Sequence, residues 1–583
     1  MADAAGGPAR ARVVLTLAAV LGLSGADTGT ITATENNLER AFHVGNAQIG
    51  ILLTVVSLVG AAFTIPAGVL ADRASRVRLL SASIALWAAA VLLSGFAQSY
   101  LWLLAARIGL GAVTAVASPA VASLTGDFFP AGGRGRIYGL IIGGDIVGNG
   151  IGYVISGDIS AVLPWRFAFF WLIVPSLALA WAVRRLPEPS RGGQSQLERD
   201  ADTIGGADDS GGKPDRAADP AATAGQFDDN PAVREARREN VRPQADLVLH
   251  DDPADQPLWW AVRYVLRVRT NVVLIVASAL GYFYFYGLDS FATIFTISRY
   301  GVSKPEATLL VLVVGAGAVL GIYAGGRVAD RLLRNGHLRA RIGVPIACLL
   351  VIPGFLAPAF ASTSVAVALP LLIIGAFLLG APQPPIDAAR LDIMPAQMWG
   401  RAEGVRTALR SLAVAAAPAL FGYMSQYVFG GPASSGAGGP GGTGSSARLS
   451  PAAAAGLADT FLVFLALLLS AGLLALFALR TYPRDLATAA ASAEAISRAA
   501  HPAAQPQDDQ GADMTASRPH DKHPRESLLK SCPSRSLLNH GNRSGSRTGQ
   551  QRRSSGTSGN SQGRTSVQGF RLRPPGCVMR RRP

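Results

Sequence analysis

Four ionisable residues stand inside stretches of this sequence that are otherwise apolar: Asp27, Arg107, Asp145 and Asp289. A charge within a bilayer is expensive to leave unpaired, so each needs a partner or a watery path. Such groups can carry a proton and can pair with a charged solute. At 1.5 Å per residue Asp27 lies about 24 Å from the inner end of its helix. Arg107, on a helix running the other way, lies about 9 Å below the outer surface, which is a similar depth. The two are expected to pair. Either protonating Asp27 frees Arg107 for an anionic substrate, or the pair is structural, or Asp27 reaches an aqueous vestibule. Asp145 sits in IIGGDIVGNGIGYVISG, where the glycines allow close helix packing. It should face the bundle interior, as a substrate contact or within a polar packing network. Asp289 closes YFYFYGLD (282–289), whose Tyr282, Tyr284 and Tyr286 either line the outer half of a cavity or anchor the helix at the interface.

No catalytic set accompanies these charges. All seven histidines (His43, His250, His337, His501, His520, His523 and His540) fall outside the apolar runs, which leaves no His for metal, haem or a Ser-His pair at lipid depth. Cys348, Cys532 and Cys577 are scattered, without disulfide or metal-ligand spacing. There is no phosphate-binding glycine loop. The expectation is a protein that is not an enzyme and has no cofactor or metal. The net charge of +15 does not point to nucleic acid, because the arginines sit in short loops and a polar tail rather than on one basic face.

The elements that must hold these residues are membrane helices. Only 16% of the chain is charged, against roughly a quarter in soluble proteins, and the deficit lies in apolar runs long enough to span a bilayer. Twelve spans are expected, at 11–33, 47–70, 79–97, 101–124, 137–157, 166–184, 270–292, 307–325, 341–360, 365–387, 403–424 and 457–479. The N-terminal run continues through Asp27 without a clear small-residue cleavage site, so it reads as the first span rather than a cleaved signal. The chain divides into a six-helix bundle (1–190), a polar connector (191–262), a second six-helix bundle (263–480) and a basic tail (481–583). The connector reads as mostly disordered, with DQPLWWAVRYVLRVR (255–269) as a surface helix. The tail reads as disordered. Arginines crowd the loops after even-numbered spans, which puts both termini and the connector in the cytoplasm. Pro382, Pro384 and Pro385 should bend span 10 or end it early.

Two patterns recur between the halves. GVLADR (68–73) returns as GRVADR (326–331). DFFPAGGRGRIYG (127–139) returns 265 residues later as DIMPAQMWGRAEG (392–404), both of the form D-x-x-P-A-x-x-x-G-R-x-x-G. Asp127, Pro130 and Arg136 thus match Asp392, Pro395 and Arg401, and Asp27 is echoed by Asp289. A parallel repeat of two six-helix bundles about a shared path accounts for both patterns. Asp72 can face the positive end of a neighbouring helix, and Arg73 and Arg76 can pair with carboxylates or lipid phosphate.

These residues resemble a family. Gly68-Val69-Leu70-Ala71-Asp72-Arg73-Ala74-Ser75-Arg76 is similar to the G-x-L-A-D-R-x-x-R loop of the major facilitator superfamily. Arg107 with Gly111, Trp165-Arg166 and Glu188-Pro189-Ser190-Arg191-Gly192 fit the same pattern. Val147-Gly148-Asn149-Gly150-Ile151-Gly152-Tyr153 is similar to a run of its spinster-like members, although this chain has Thr114 where they usually carry Glu. The resemblance implies two pseudo-symmetric six-helix bundles and a cytoplasmic latch at Gly68, Asp72, Arg73, Arg76, Gly326, Asp330 and Arg331. It further implies a monomeric secondary transporter, working by alternating access on a small-molecule or lipid-like substrate and driven by protons. Lipophilic cations extruded against protons fit the acids; an amphiphilic anion or zwitterion fits Arg107. A transport-inactive sensor or a passive facilitator is the alternative. Four lysines against forty-nine arginines suggest a GC-rich bacterial genome, hence a bacterial plasma membrane.

Overall fold

The computed structural model describes residues 8–44, 46–189, 230–253, 256–429, 449 and 451–500. Among them twelve helical segments are long and apolar enough to cross a membrane, and there is no strand. The chain is an all-α, multi-pass membrane protein, as its apolar runs require. Spans 1 to 12 below are these segments, from Arg10–Glu35 to Pro451–Ala499.

Spans 1 and 5 pack through small residues. A side chain at Gly144, Gly148 or Gly152 would strike the backbone at Ala18, Gly22 or Ala26, so only a glycine stripe lets these helices touch. That stripe accounts for the glycines around Asp145. The second half is held by rings instead: Phe295, Phe360, Phe421 and Phe461 meet edge-on or tilted at 5.0–5.9 Å. Tyr284 is buried against Phe421. It therefore packs inside the bundle and lines no cavity.

Span 10 is broken and then resumes, as Val365–Gly380 and Gln383–Asp392, so its prolines make a bend and not an end. Span 4 is likewise interrupted between Tyr100–Thr114 and Ala117–Phe128.

Two sequence expectations need correction. The tail does not begin at 481, because the last helix runs Pro451–Ala500. Tyr482, Leu486, Ala489, Ala493 and Ile496 recur at helical spacing and are buried. Only Leu486 and Ile496 of the five are strongly apolar, and polar residues lie between them, so the stripe does not stand out in the sequence. Residues 501–583 lie outside the described residues. The connector, expected to be mostly disordered, is ordered from Asn230. Helix Pro231–Arg238 buries Ala232, Val233 and Ala236, and the stretch after it, with a 3-10 turn at Ala245–Leu247, lies along the last helix. There Gln244 N–H donates to Thr488 Oγ1 (2.9 Å), Gln244 Nε2 to Asp485 Oδ1 (2.6 Å) and Leu249 N–H to Ser492 Oγ (3.0 Å). The boundary at 262 falls within helix Leu258–Arg267, which buries Ala261, Tyr264 and Val265 and leaves Trp259 exposed. Residues 191–229 of the connector lie outside the described residues.

Candidate functional site

The two repeated motifs meet each other across the halves. Asp72, at the end of span 2, accepts hydrogen bonds from the Gly400 N–H (2.8 Å) and the Arg401 N–H (2.9 Å), the first turn of span 11. Asp330, at the end of span 8, accepts from Gly135 N–H (3.2 Å) and Arg136 N–H (2.8 Å), the first turn of span 5. Each carboxylate thus satisfies free amides at a positive helix end. The acid comes from one half and the helix from the other, in both cases. Pro130 and Pro395 share one extended conformation and each starts a short 3-10 turn, which sets these amides in place. Glycine is required where the helices cross. A Cβ on Gly68 would lie 2.5 Å from the Gly400 carbonyl oxygen, and one on Gly326 would strike the Gly135 carbonyl.

The aspartates that open the repeat lie behind these contacts. Asp127 pairs with Arg76, and Asp392 with Arg341, all four buried. Arg76 Nε also reaches Glu188 Oε1 (2.9 Å). Glu188 accepts from Ser75 Oγ (2.7 Å) and from the amides of Arg76 (3.0 Å) and Val77 (2.8 Å). Burial alone would raise the Glu188 carboxyl, but the Arg76 charge and these hydrogen bonds outweigh it and hold it below the usual range. Asp392 further accepts from Tyr482 Oη (2.9 Å) and Asn230 Nδ2 (3.1 Å). Arg401 Nη1 donates to the Pro253 carbonyl (2.6 Å) and Arg73 Nη2 to the Gln256 carbonyl (3.3 Å). The connector is therefore hydrogen-bonded to residues of both repeated motifs. Arg331 is exposed.

Within the spans, Arg107 Nη1 lies 2.6 Å from Asp27 Oδ2, with 1% and 8% of the side chains exposed. The expected pair is present as geometry. It is incompletely satisfied: Asp27 Oδ1 and Arg107 Nε and Nη2 are buried without a hydrogen-bond partner. Asp145 is half-exposed, and Asp289 is exposed and lies apart from that pair.

Sequence reasoning missed a second buried cluster. Glu403 of span 11 bonds Arg406 Nη2 (2.5 Å) and Arg390 Nη1 (2.8 Å), and Arg406 Nη1 lies 3.0 Å from Asp387 Oδ1. Ser118 Oγ of the first half donates to Glu403 Oε1 (2.8 Å), so the cluster touches both halves. Its signal was the spacing of Glu403, Arg406 and Arg410, which share one helical face. All three fall inside the expected span 403–424, where charges so close to its start read as the polar end of the helix.

Comparison with known proteins agrees with this architecture. The sequence profile of the Major Facilitator Superfamily matches residues 17–418. A "Probable 4-methylmuconolactone transporter" of Cupriavidus pinatubonensis (strain JMP 134 / LMG 1197) is 32% identical over 173 residues, which is 28% of this chain and 40% of that protein's length. Among solved structures, a bacterial homologue of the human lysosomal transporter Spinster, inward-facing and occupied, matches with a TM-score of 0.52 at 21% identity, covering 82% of this chain and 98% of that one. A double-tryptophan mutant of XylE matches with a TM-score of 0.58 at 15% identity, covering 82% and 98%. At these identities the two structures speak for the fold alone.

Proposed function

The chain belongs to the major facilitator superfamily, and on that premise we propose that it is a proton-coupled secondary transporter moving a small organic or amphiphilic solute by alternating access. The pair of latches carries the reading. Asp72 and Asp330 join the halves through polar contacts at the arginine-rich end, in symmetry-related positions. Contacts of this kind can be exchanged for water when two rigid bundles rock, whereas an interdigitated apolar core resists separation. Gly68, Asp72, Arg73 and Arg76, with Gly326, Asp330 and Arg331, form the gate. Asp127, Pro130, Arg136, Asp392, Pro395 and Arg401 are its braces.

By the positive-inside rule the arginine-rich end faces the cytoplasm, with both termini and the connector. The conformation is then the one closed to the cytoplasm. The membrane is the plasma membrane of a bacterium, and the working unit is the monomer. Asp27 and Arg107 are the coupling pair: protonating Asp27 removes the counter-charge of Arg107 and shifts how spans 1 and 4 pack. The unpartnered atoms of that pair support the assignment, since they leave room for a proton or a polar group. Asp145 and Asp289 are further acids on the solute path.

Flux into proteoliposomes under an imposed pH gradient tests this. Asp27→Asn should insert and fold but lose uphill flux. Undiminished uphill transport by that variant would remove the coupling role.

A further inference from the structure

Among the described residues, the buried arginines are paired. Arg107, Arg134, Arg341, Arg390, Arg401 and Arg406 each have a carboxylate within 4.0 Å. Arg410 is different. Its guanidinium lies 4.6 Å from the centre of the Tyr282 ring, and among the described residues it has no carboxylate within 4 Å and no hydrogen-bond partner. Its side chain is mostly covered, and part of it remains open. Eleven residues into the helix from Trp399, it stands about 17 Å along span 11 by the helical rise, near the bilayer midplane.

The offset of 265 that relates the two latch motifs also carries Asp145 onto Arg410. Asp145 stands eleven residues into the helix from Arg134, the match of Trp399, and so at the same depth. It too is partly exposed, and it lies within electrostatic reach of Arg410. One repeat position thus holds an acid in one half and an arginine in the other, opposed without touching. Tyr282 stacks on Tyr286 at 6.3 Å, giving the Arg410 side an aromatic wall.

A cation–π contact is worth about 0.5–2 kcal/mol, while an arginine at the centre of a membrane helix costs about 2.5–3.5 kcal/mol even on the mildest scale. The ring alone does not offset that. The carboxylates of Asp387 and Glu403 also lie within electrostatic reach of Arg410, but their direct pairs are with Arg390 and Arg406. What would complete Arg410 is an anion bound at the exposed part of its guanidinium.

We infer that Arg410, Tyr282 and Asp145 form a midplane binding site for an organic anion, with Arg410 taking the carboxylate or phosphate, Tyr282 the adjoining apolar body, and Asp145 acting as the opposing charge the ligand must outcompete. The site deepens the proposed transport reading and rests on it for its place on the solute path.

Binding is measured without any gradient, by thermal shift and titration calorimetry on the full chain in nanodiscs. The probes are benzoate and octyl phosphate, against neutral benzamide and cationic octyltrimethylammonium. Wild type should bind at least one anion and prefer it to the other two. Arg410→Ala should weaken that binding about 50-fold, a lost charge-assisted pair, with part restored in Arg410→Lys. Asp145→Asn should tighten it about tenfold by removing a like charge, which a merely structural Asp145 would not do. Tyr282→Leu should weaken binding while the unliganded melting temperature is kept. No anion binding by wild type, or anion affinity unchanged in Arg410→Ala, overturns the site. Anion binding through Arg410 without proton-driven flux would instead leave the site standing and remove the coupled-transport reading; proton-driven flux of a cation alone would do the reverse.

Discussion

Glu188 illustrates how a single side chain ties a helix end to the gate. Its folded carboxyl is held low despite burial, because Arg76, Ser75 and the Val77 amide favour the charged form. A depressed pKa contributes stability above the unfolded value of about 4.3, and that contribution is lost as pH falls through the folded value. Glu188→Gln should therefore melt several degrees lower than wild type near pH 7, and the gap should close in acid. A gap independent of pH would mean that packing, and not the Arg76 charge, is what Glu188 supplies. The lone ionisable residues in apolar runs were legible from sequence because apolar neighbours isolate them, and Asp27 and Arg107 do meet at 2.6 Å. Arg410 was not legible, because it sits among the arginines that open span 11 and its meaning depends on which carboxylates the others take.

Helices and their connections carry the next level. Gly68 and Gly326 let spans of opposite halves touch where any side chain would collide with backbone. Gly326→Val should wedge that crossing open. In a cysteine-free background, Ile322→Cys, buried against span 5 beside Gly139, should then react faster with an impermeant maleimide. An unchanged rate would show that the crossing does not control access. The strap formed by residues 230–253 and the helix extension 481–500 belongs to this scale as well. Leu486 is fully buried beneath it, so Leu486→Asp should unseat the strap and speed tryptic cleavage at Arg234, Arg237 and Arg238 by about tenfold or more, the scale of an unpaired buried charge. Equal cleavage rates would argue that the strap holds without that core. Neither element was visible in composition: the strap is polar and bonds the last helix through Thr488, Asp485 and Ser492, and the extension is alanine-rich, without a long apolar run.

At the level of the whole molecule the repeat explains the closure. The same two motifs, written twice, produce two acid-to-helix contacts in which the halves exchange roles. Asp392 adds an asymmetric feature: it joins Arg341 of its own half, Arg134 of the other, Tyr482 of the extension and Asn230 of the strap. The repeated punctuation was readable from the sequence, and so was the twelve-span count. What joined to what across the halves was not, since sequence spacing does not say which bundle an aspartate faces.

Alternating access requires the halves to part at this end during each cycle. Gly132 and Arg334 face each other there: a Cβ on Gly132 would lie 3.9 Å from Arg334 Cγ, close enough for a short bis-thiosulfonate to bridge a Gly132→Cys/Arg334→Cys pair in the cysteine-free chain. Flux should proceed in the reduced double variant, stop once the bridge has formed, and return with dithiothreitol. Undiminished flux through protein shown to be fully cross-linked would contradict the account.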